Sequence, residues 1–459
     1  MNGKSYKAHT HFSADRGWIN DPNGLVLHDG IFELYYQYNP KGIEWNHISW
    51  GHARSTDLTH WEELPVALGP DETGYMFSGC GIVNERGLMG LPEDALIFFY
   101  TAAGHMSPES AGRGFAIMSA YSLDGGRTLV KTGRTVLRSV GWESRDPAVF
   151  WHEESGAYIL VLYLEDHDFG IYRSEDLESF QLSQRITLEY GFECPDLFCL
   201  PVYDTEGKPT QEERWVFWTG DGSYFVGDFD GYRFRASGTR ELAYAGTGRV
   251  RPYAAQTWSG VPDGRVISEA WLTSDCVGNV STGAMCYPRE LSLVRGCFPV
   301  DGRPEPTERE LLRMVLPDEI AGQFRSVGRL SAGEELFFED AAVQLHCAFA
   351  GGFEIAFLSE DKESLLRLEY RSARGNLLLS AGEVSRILHI GADVRELTVQ
   401  YDRGILEISG RDGRYLHITD YPEFRSVPCR GVRMLCGEGA AADVSVIAGQ
   451  DSASDVTGK

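Results

Sequence analysis

The chain has 459 residues, of which 42% are hydrophobic and 24% are charged, a composition typical of a globular protein long enough for two domains. Its formal net charge of −25 disfavours binding to nucleic acid or to anionic membrane surfaces, and it favours a neutral substrate over an anionic one. No apolar segment approaches the roughly 20 residues that are needed to span a bilayer.

The N-terminus and the cysteines indicate where the protein works. Residues 1–12 lack the apolar core of a signal peptide, so we expect a cytoplasmic protein, or a secreted one if a leader has been removed. The 9 cysteines are an odd number, with no Cys-x-x-Cys pair and no Cys/His zinc spacing. We expect them to be small buried hydrophobes in a reducing compartment, and we predict neither a metal nor a cofactor.

The chain up to residue 300 is predicted to consist of short β-strands. Residues 25–27 and 31–37 are apolar or alternating runs, and the intervening His-Asp-Gly at 28–30 is typical of a hairpin turn. A second hairpin pattern follows at 148–162. Similar Asp-containing turns place aspartates at 57, 124, 176 and 230, at intervals of 67, 52 and 54 residues.

Five candidate site motifs recur with a similar spacing. They contain Asp21, Ser78, Asp146, Glu193 and Tyr253, which are separated by 57, 68, 47 and 60 residues. A repeat of this size with four short strands per unit is typical of a β-propeller. Because the innermost strand of every blade lines one central channel, residues one repeat apart converge in space. Five motifs therefore predict five blades.

The pattern changes after residue 300. A proline-rich connector at 299–306 precedes a stretch compatible with a short helix at 308–315, and alternating segments return between about 322 and 446. Their turn spacing suits a β-sandwich. We predict an all-β chain with a propeller domain at 1–300, a linker at 301–321, a β-sandwich at 322–448 and a disordered tail at 449–459.

Three carboxylates precede proline, or lie one residue from it, in the site motifs. Asp21 lies in Trp-Ile-Asn-Asp-Pro-Asn-Gly at 18–24, Asp146 in Arg-Asp-Pro, and Glu193 in Glu-Cys-Pro. Each motif alone is more often a surface turn or an ion pair. If the three converge, carboxylates without metal ligands or a nucleophile–His pair indicate glycoside hydrolysis. Arg145 is expected to keep Asp146 ionised, and the less polar neighbours of Glu193 suit a proton donor.

These three motifs closely resemble the signatures of glycoside hydrolase family 32, the β-fructofuranosidases, which include invertases, inulinases and levanases. The resemblance runs in order from about residue 8 to 291. Further matching segments lie at 36–40, 50–53, 60–65, 77–79, 253–256 and 288–291.

The resemblance implies a five-bladed propeller followed by a β-sandwich, and hydrolysis with retention of configuration. Asp21 would be the nucleophile, Glu193 the general acid and then the base, and Asp146 the residue that stabilises the transition state. The two reacting carboxyls, Asp21 and Glu193, should lie about 5–5.5 Å apart. Residues that would line the fructose pocket are Asn20, Gln37, Trp45, Phe77, Ser78, Arg145, Tyr253 and Trp271.

The subtype follows less directly from the sequence. Residues 224–231 look like the corresponding run in exo-acting levanases and inulinases, so we expect release of terminal fructose from sucrose, fructo-oligosaccharides or fructans. The alternatives are a fructosyltransferase that uses the same intermediate, and a non-catalytic fructan-binding relative. The segments at 251–252 and 272–287 depart from the family. Arg249, Arg251 and Arg289 are expected to form a basic patch at the pocket rim, with consequences for leaving-group preference.

Overall fold

The computed structural model describes residues 7–141, 143–246, 250–274, 277–278, 280–298, 305–391, 394–410 and 412–449. Within these residues the regular structure is almost entirely β, and no helix is long and apolar enough to cross a membrane. The helical segments are Gly104–Met106, Pro108–Ser110, Asp318–Ala321, Ser372–Arg374 and Pro422–Phe424.

Strands from Gly17 to Val315 form five antiparallel blades. Blade one contains Gly17–His28, Ile31–Asn39, Ser49–Ser55 and Glu62–Leu68. Blade two contains Tyr75–Val83, Leu96–Ala103, Ala116–Ser122 and Val130–Arg138. Blade three contains Arg145–His152, Ala157–Glu165, Asp168–Ser174 and Gln181–Thr187. Blade four contains Asp196–Tyr203, Pro209–Trp218, Ser223–Phe229, Phe234–Ala236 and Glu241–Leu242, and blade five contains Pro252–Thr257, Ile267–Leu272, Ala284–Met285, Arg289–Phe298 and Thr307–Val315.

The blades are apolar on both faces because each packs between two neighbours. Tyr35 of blade one meets Phe98 of blade two edge to face at 5.1 Å, and Phe169 of blade three meets Phe217 of blade four at 5.4 Å. All four side chains are fully buried. Burial of such a side chain stabilises the fold by roughly 1.5–3 kcal/mol, so the contacts between blades supply much of the driving force for folding.

The ring closes through contacts of blade one with blade five. The Gly17 N–H donates to Val280 O at 2.8 Å, and the strand Ser281–Thr282 pairs in parallel with Gly17 and Trp18. At the other end of the same strand, Leu27 N donates to Ser259 O at 2.8 Å. These bonds use backbone groups that would otherwise form an open sheet edge. The prediction of an all-β propeller is therefore confirmed, and the ring of blades is closed.

The first strand of each blade begins at the same end of the central channel, which we call the entrance face. Neighbouring strands are antiparallel, so second strands end on this face and third strands begin there. Fourth strands also end on it. The entrance face is therefore built from the loops between second and third strands and from the connections between successive blades.

The helix predicted at 308–315 is wrong. Thr307–Val315 is the outermost strand of blade five and pairs along its whole length with Arg289–Phe298, from Glu290↔Val315 to Phe298↔Thr307. Its buried residues, Leu312 and Met314, alternate with more exposed ones, as in a strand. The Glu, Leu, Arg and Met residues of this segment favour a helix locally, but pairing with the blade edge overrides that propensity.

Two six-stranded sheets form the β-sandwich. In spatial order, the first contains Arg325–Ser331, Ala441–Ala448, Ala341–Ala348, Glu396–Asp402, Ile405–Gly410 and Leu416–Asp420. The second contains Glu335–Phe337, Gly431–Gly437, Phe353–Leu358, Ser364–Arg371, Asn376–Ala381 and Val384–His389. Their inner faces share one core, in which Phe357 stacks on Tyr401 with ring centroids 4.8 Å apart. The predicted tail lies outside the described residues from 450 onward.

The cysteines are free thiols throughout the described part of the chain. Cys194, Cys286, Cys347 and Cys429 are buried, as expected. The expectation is wrong for Cys297 and Cys436, which are exposed. Both lie in strands, in which successive side chains point to opposite faces of the sheet, so that some of them face outward.

A buried polar cluster joins the propeller to the sandwich. Glu407 of the sandwich accepts a hydrogen bond from Tyr287 N at 2.8 Å, lies 3.2 Å from His11 Nε2 and pairs with Arg289 of blade five. Arg289 was predicted to belong to a basic patch at the pocket rim, and this prediction is wrong because its guanidinium is buried against Glu407. Arg249 lies outside the described residues.

We expect the Glu407→Ala substitution to lower the free energy of unfolding by about 3–5 kcal/mol, because it leaves the Arg289 charge buried without its partner. Thermal and urea unfolding would measure the change. The control is Glu369→Ala, which removes an exposed partner of Arg371 and should cost less than about 1 kcal/mol. Equal losses for the two variants would contradict a structural role for the cluster.

Candidate active site

A cavity of about 290 Å³ opens on the entrance face where the first strands converge. It is lined by Trp18, Asn20, Asp21, Gln37, Trp45, Phe77, Ser78, Met106, Phe115, Glu143, Arg145, Asp146, Glu193, Tyr253 and Trp271. All eleven site residues predicted from the sequence are in this group. Four lining residues were missed: Trp18 and Glu143 lie in or next to a recognised motif, whereas Met106 and Phe115 belong to none.

The first strands are irregular where they reach the cavity. In blade one the pairing register shifts between Ile19 and Pro22, and in blade two it shifts between Phe77 and Gly79. Blade five shows the same shift between Tyr253 and Gln256. A β-bulge re-aims side chains and ends regular pairing, so these shifts turn the motif residues toward the channel axis.

Several site residues have left-handed backbone conformations, which non-glycine residues rarely adopt. The φ angles are 61° at Asp146, 52° at Glu193, 40° at Cys194 and 53° at Ala254. Such conformations cost about 1–3 kcal/mol each and persist only where the surrounding structure holds them. Their concentration in the motifs of blades three, four and five indicates that the fold holds these carboxylates in a fixed geometry.

Asp21 is held by donors on both of its oxygens. Ser78 Oγ donates to Oδ2 at 2.6 Å, and Asn20 Nδ2 donates to Oδ1 at 3.1 Å. The Asn20 side chain is oriented in turn by Trp18 Nε1, which donates to its Oδ1 at 2.8 Å. Asp21 is therefore held in a fixed orientation in the cavity.

Asp146 lies beside Asp21 and shares a neighbour with it. Cys194 N donates to Asp146 Oδ2 at 3.2 Å, and Cys194 Sγ lies 3.5 Å from Asp146 Oδ2 and 3.6 Å from Asp21 Oδ2. Thr101 Oγ1 accepts from the Asp146 backbone N–H at 3.0 Å. The Cys194 thiol thus bridges the two aspartates, an arrangement that no sequence pattern indicated.

Asp146, Glu193 and Cys194 each offer one atom that could coordinate a metal ion, since these atoms lie within 4.8 Å of one another. Burial raises the pKa of the Cys194 thiol well above its usual value, and the nearby carboxylates raise it further. A protonated thiol is a poor metal ligand. The guanidinium of Arg145, which already pairs with Glu193, also disfavours a cation here.

Arg145 pairs with Glu193 more closely than with its neighbour in sequence. Its Nη2 donates to Glu193 Oε1 at 3.1 Å, whereas its Nε lies 3.9 Å from Asp146 Oδ2. A second hydrogen bond, from Nη1 to Glu143 O at 2.8 Å, and the Tyr163 ring 4.6 Å away fix the guanidinium. Arg145, which was expected to keep Asp146 ionised, therefore acts on both carboxylates.

The electrostatics of the cavity favour protonation of Glu193. Burial, together with the charge of Asp146, raises the pKa of Glu193 to about 7, although Arg145 opposes the shift. Burial also raises the pKa of Asp146 to about 6, with Arg145 opposing and Asp21 adding to the effect. Near neutral pH a proton is therefore favoured on Glu193 over Asp146. An acid and an anion facing one cavity suit acid–base and nucleophilic chemistry.

Comparisons with known proteins point to one family. The family described as "Glycosyl hydrolases family 32 N-terminal domain" matches residues 11–298. A levanase of Bacillus subtilis is 31% identical over 464 residues, covering 91% of this chain and 66% of that protein. An extracellular exo-inulinase of Aspergillus niger is 33% identical over 345 residues, covering 63% of this chain and 62% of that protein. The chain thus spans less than two thirds of the length of both curated relatives.

Solved structures agree in fold. The exo-inulinase of Aspergillus awamori has a TM-score of 0.79 and 25% identity, covering 98% of this chain and 99% of that one. A β-fructofuranosidase of Schwanniomyces occidentalis, solved with fructosyl-erythritol, has a TM-score of 0.78 and 22% identity, covering 96% and 98%. The match extends through both the propeller and the sandwich.

Proposed function

Because this chain belongs to glycoside hydrolase family 32, we propose that it releases terminal β-fructofuranosyl units from sucrose, fructo-oligosaccharides or fructans. The observation that carries the proposal is the convergence of Asp21, Asp146 and Glu193 on one cavity. The cavity volume of about 290 Å³ lies just below the usual range for ligand pockets, about 300–1,000 Å³, which suits the end of a sugar chain better than its interior.

In the first step of the proposed reaction, an Asp21 oxygen attacks the fructose C2 while Glu193 gives its proton to the leaving glycosidic oxygen. The bond from C2 to that oxygen breaks, and a covalent fructosyl ester forms on Asp21. Ser78 and Asn20 hold the nucleophile in position through the hydrogen bonds described above. The products are the ester and a free sugar hydroxyl.

In the second step Glu193, now ionised, takes a proton from water, and the water oxygen attacks C2. The ester bond breaks, fructose leaves with retained configuration, and both carboxyls return to their starting protonation states. Asp146 accepts hydrogen bonds from fructose hydroxyls and stabilises positive charge on the ring in both transition states.

Incubation of the purified protein with sucrose, inulin and levan tests the proposal. We expect fructose as the single small product from either fructan. New oligosaccharides as the main product at high sucrose concentration would indicate a transferase. Fructan binding without release of sugar would indicate a non-catalytic relative. The proposal would be overturned if the protein neither bound these sugars nor released fructose from them.

We expect a bell-shaped dependence of kcat/KM on pH, with its optimum between about 6 and 7. The first step needs protonated Glu193, whose pKa of about 7 means that activity falls as pH rises through this value. It also needs ionised Asp146, whose pKa of about 6 means that activity falls as pH drops below this value. Initial rates from pH 4 to 9 on sucrose would measure both limbs, and a flat profile would contradict the assignment.

The Asp146→Asn variant tests the origin of the basic limb. The charge of Asp146 raises the pKa of Glu193, so removing that charge should move the basic limb to lower pH while overall activity falls. A basic limb that stays in place would mean that Glu193 is not the group that titrates there.

A further inference from the structure

Two exposed aromatic side chains precede Glu193 on the connection from blade three to blade four. Tyr190 is 44% exposed and Phe192 is 40% exposed. Only five aromatic side chains in the described part of the chain are at least 40% exposed. Another of these five, Trp45, lines the cavity itself. Exposed aromatics are thus concentrated around the cavity entrance, which indicates a binding role.

The loop that carries these residues is held by backbone hydrogen bonds. Gly220 N donates to Phe192 O at 3.1 Å and to Glu193 O at 2.9 Å, and Leu188 N donates to His167 O at 3.0 Å. His167 Nδ1 lies 2.8 Å from Gly191 O. The loop is therefore fixed from both neighbouring blades, and its side chains present a preformed surface that loses little entropy on binding.

The loop lies on the leaving-group side of the cavity. Glu193 donates its proton to the leaving oxygen in the proposed reaction, so the departing sugar chain passes this residue. The Phe192 ring lies 5.8 Å from the Arg145 guanidinium and 5.3 Å from the Tyr163 ring, directly beside Glu193. Tyr190 is three residues earlier, so its Cα lies no more than about 11 Å from that of Glu193.

Tyr190 is oriented by Arg240. The guanidinium lies 4.5 Å from the centre of the tyrosine ring, and Arg240 Nε donates to Ser223 Oγ at 2.8 Å. One face of the ring is thereby covered while much of the side chain remains open to solvent. An open aromatic face beside guanidinium donors suits a sugar, whose C–H groups pack on the ring and whose hydroxyls accept hydrogen bonds.

We propose that Tyr190, Phe192 and Arg240 form a platform for the leaving chain, which binds the second and later sugar units beyond the scissile bond. The proposal rests on the proposed function and adds a preference to it. Sucrose has only one sugar on the leaving side, next to Glu193 and Phe192, whereas fructo-oligosaccharides and fructans have further units that extend toward Tyr190. The platform therefore selects longer substrates.

The test compares kcat/KM for a four-unit fructo-oligosaccharide with kcat/KM for sucrose. In the Tyr190→Ala variant we expect the ratio of the two values to fall about tenfold, the effect of losing roughly 1.4 kcal/mol of ring stacking. Tyr190→Trp should keep or raise the ratio. The matched control is Tyr232→Ala, since Tyr232 is 53% exposed and also lies under an arginine, with Arg173 at 3.8 Å.

The platform would be overturned if the ratio of kcat/KM values for the oligosaccharide and sucrose in Tyr190→Ala lay within twofold of the ratio in Tyr232→Ala. This includes the case in which Tyr190→Ala lowers activity equally on both substrates. If the native protein hydrolyses neither substrate, the proposed function fails separately. In that case the platform is tested by measuring the affinities for the same two sugars by calorimetry. Loss of the preference for binding the longer sugar in Tyr190→Ala would support the platform, and an unchanged preference would overturn it.

Discussion

Replacing Asp21 with alanine should lower kcat on sucrose by about 10³-fold or more. The side chain supplies the atom that bonds to C2, and no other described carboxylate is held in the same place by Ser78 and Asn20. Because the loss occurs in the transition state, kcat and kcat/KM should fall together. Steady-state rates on sucrose would measure the effect.

Asp21→Asn is the matched variant, since it keeps the shape of the side chain and one accepting oxygen while removing the nucleophile. It should be as inactive as the alanine variant, and its unfolding temperature should equal that of the native protein. Mass spectrometry of the native enzyme, quenched during turnover of a slow substrate, should find fructose attached to the peptide that contains Asp21. A loss of less than about 100-fold in either variant would refute the covalent role.

Replacing Glu193 with alanine should lower kcat on sucrose by about 10²–10⁴-fold, because both steps lose their proton transfer. The loss should be much smaller on fructosyl fluoride, whose leaving group needs no proton. With the fluoride, added azide should restore the rate of the second step by replacing the water that Glu193 activates. These two results would separate an acid–base role from a general loss of structure.

Glu189→Ala is the control for this variant. Glu189 is an exposed carboxylate on the same loop, four residues before Glu193, and its loss should leave the sucrose rate within about twofold. Equal losses for Glu189→Ala and Glu193→Ala would mean that the loop, and not the proton donor, had been damaged. Equal losses on sucrose and on fructosyl fluoride would also contradict the assignment.

Both predictions depend on how the cavity distributes charge. Three carboxylates and one guanidinium share a buried site, so full ionisation would leave like charges close together in a medium of low dielectric constant. The structure relieves this at Glu193, whose pKa is raised to about 7 and whose side chain is the most exposed of the three. One site therefore provides both an anion and a proton donor near neutral pH.

The patterns of the sequence predicted the class of fold and the convergence of five motifs, and its resemblance to glycoside hydrolase family 32 supplied the other residues of the cavity. Hairpins of alternating residues and Asp-Gly turns are local patterns, so a strand-rich chain could be recognised from segments of a few residues. The motifs around Asp21, Asp146 and Glu193 recur about once per blade, and a propeller places such positions around one axis. That is why residues far apart in the chain could be assigned to a common site.

Tertiary structure decided which groups interact within that frame. The pairing of Arg145 with Glu193, the Cys194 thiol between two aspartates and the burial of Arg289 against Glu407 all join residues from different blades or domains. The strand at Thr307–Val315 likewise exists because a blade edge was available to pair with it. Local propensity and periodicity contain no information about such distant partners. Burial, backbone strain and pKa shifts arise only when the whole ring has closed.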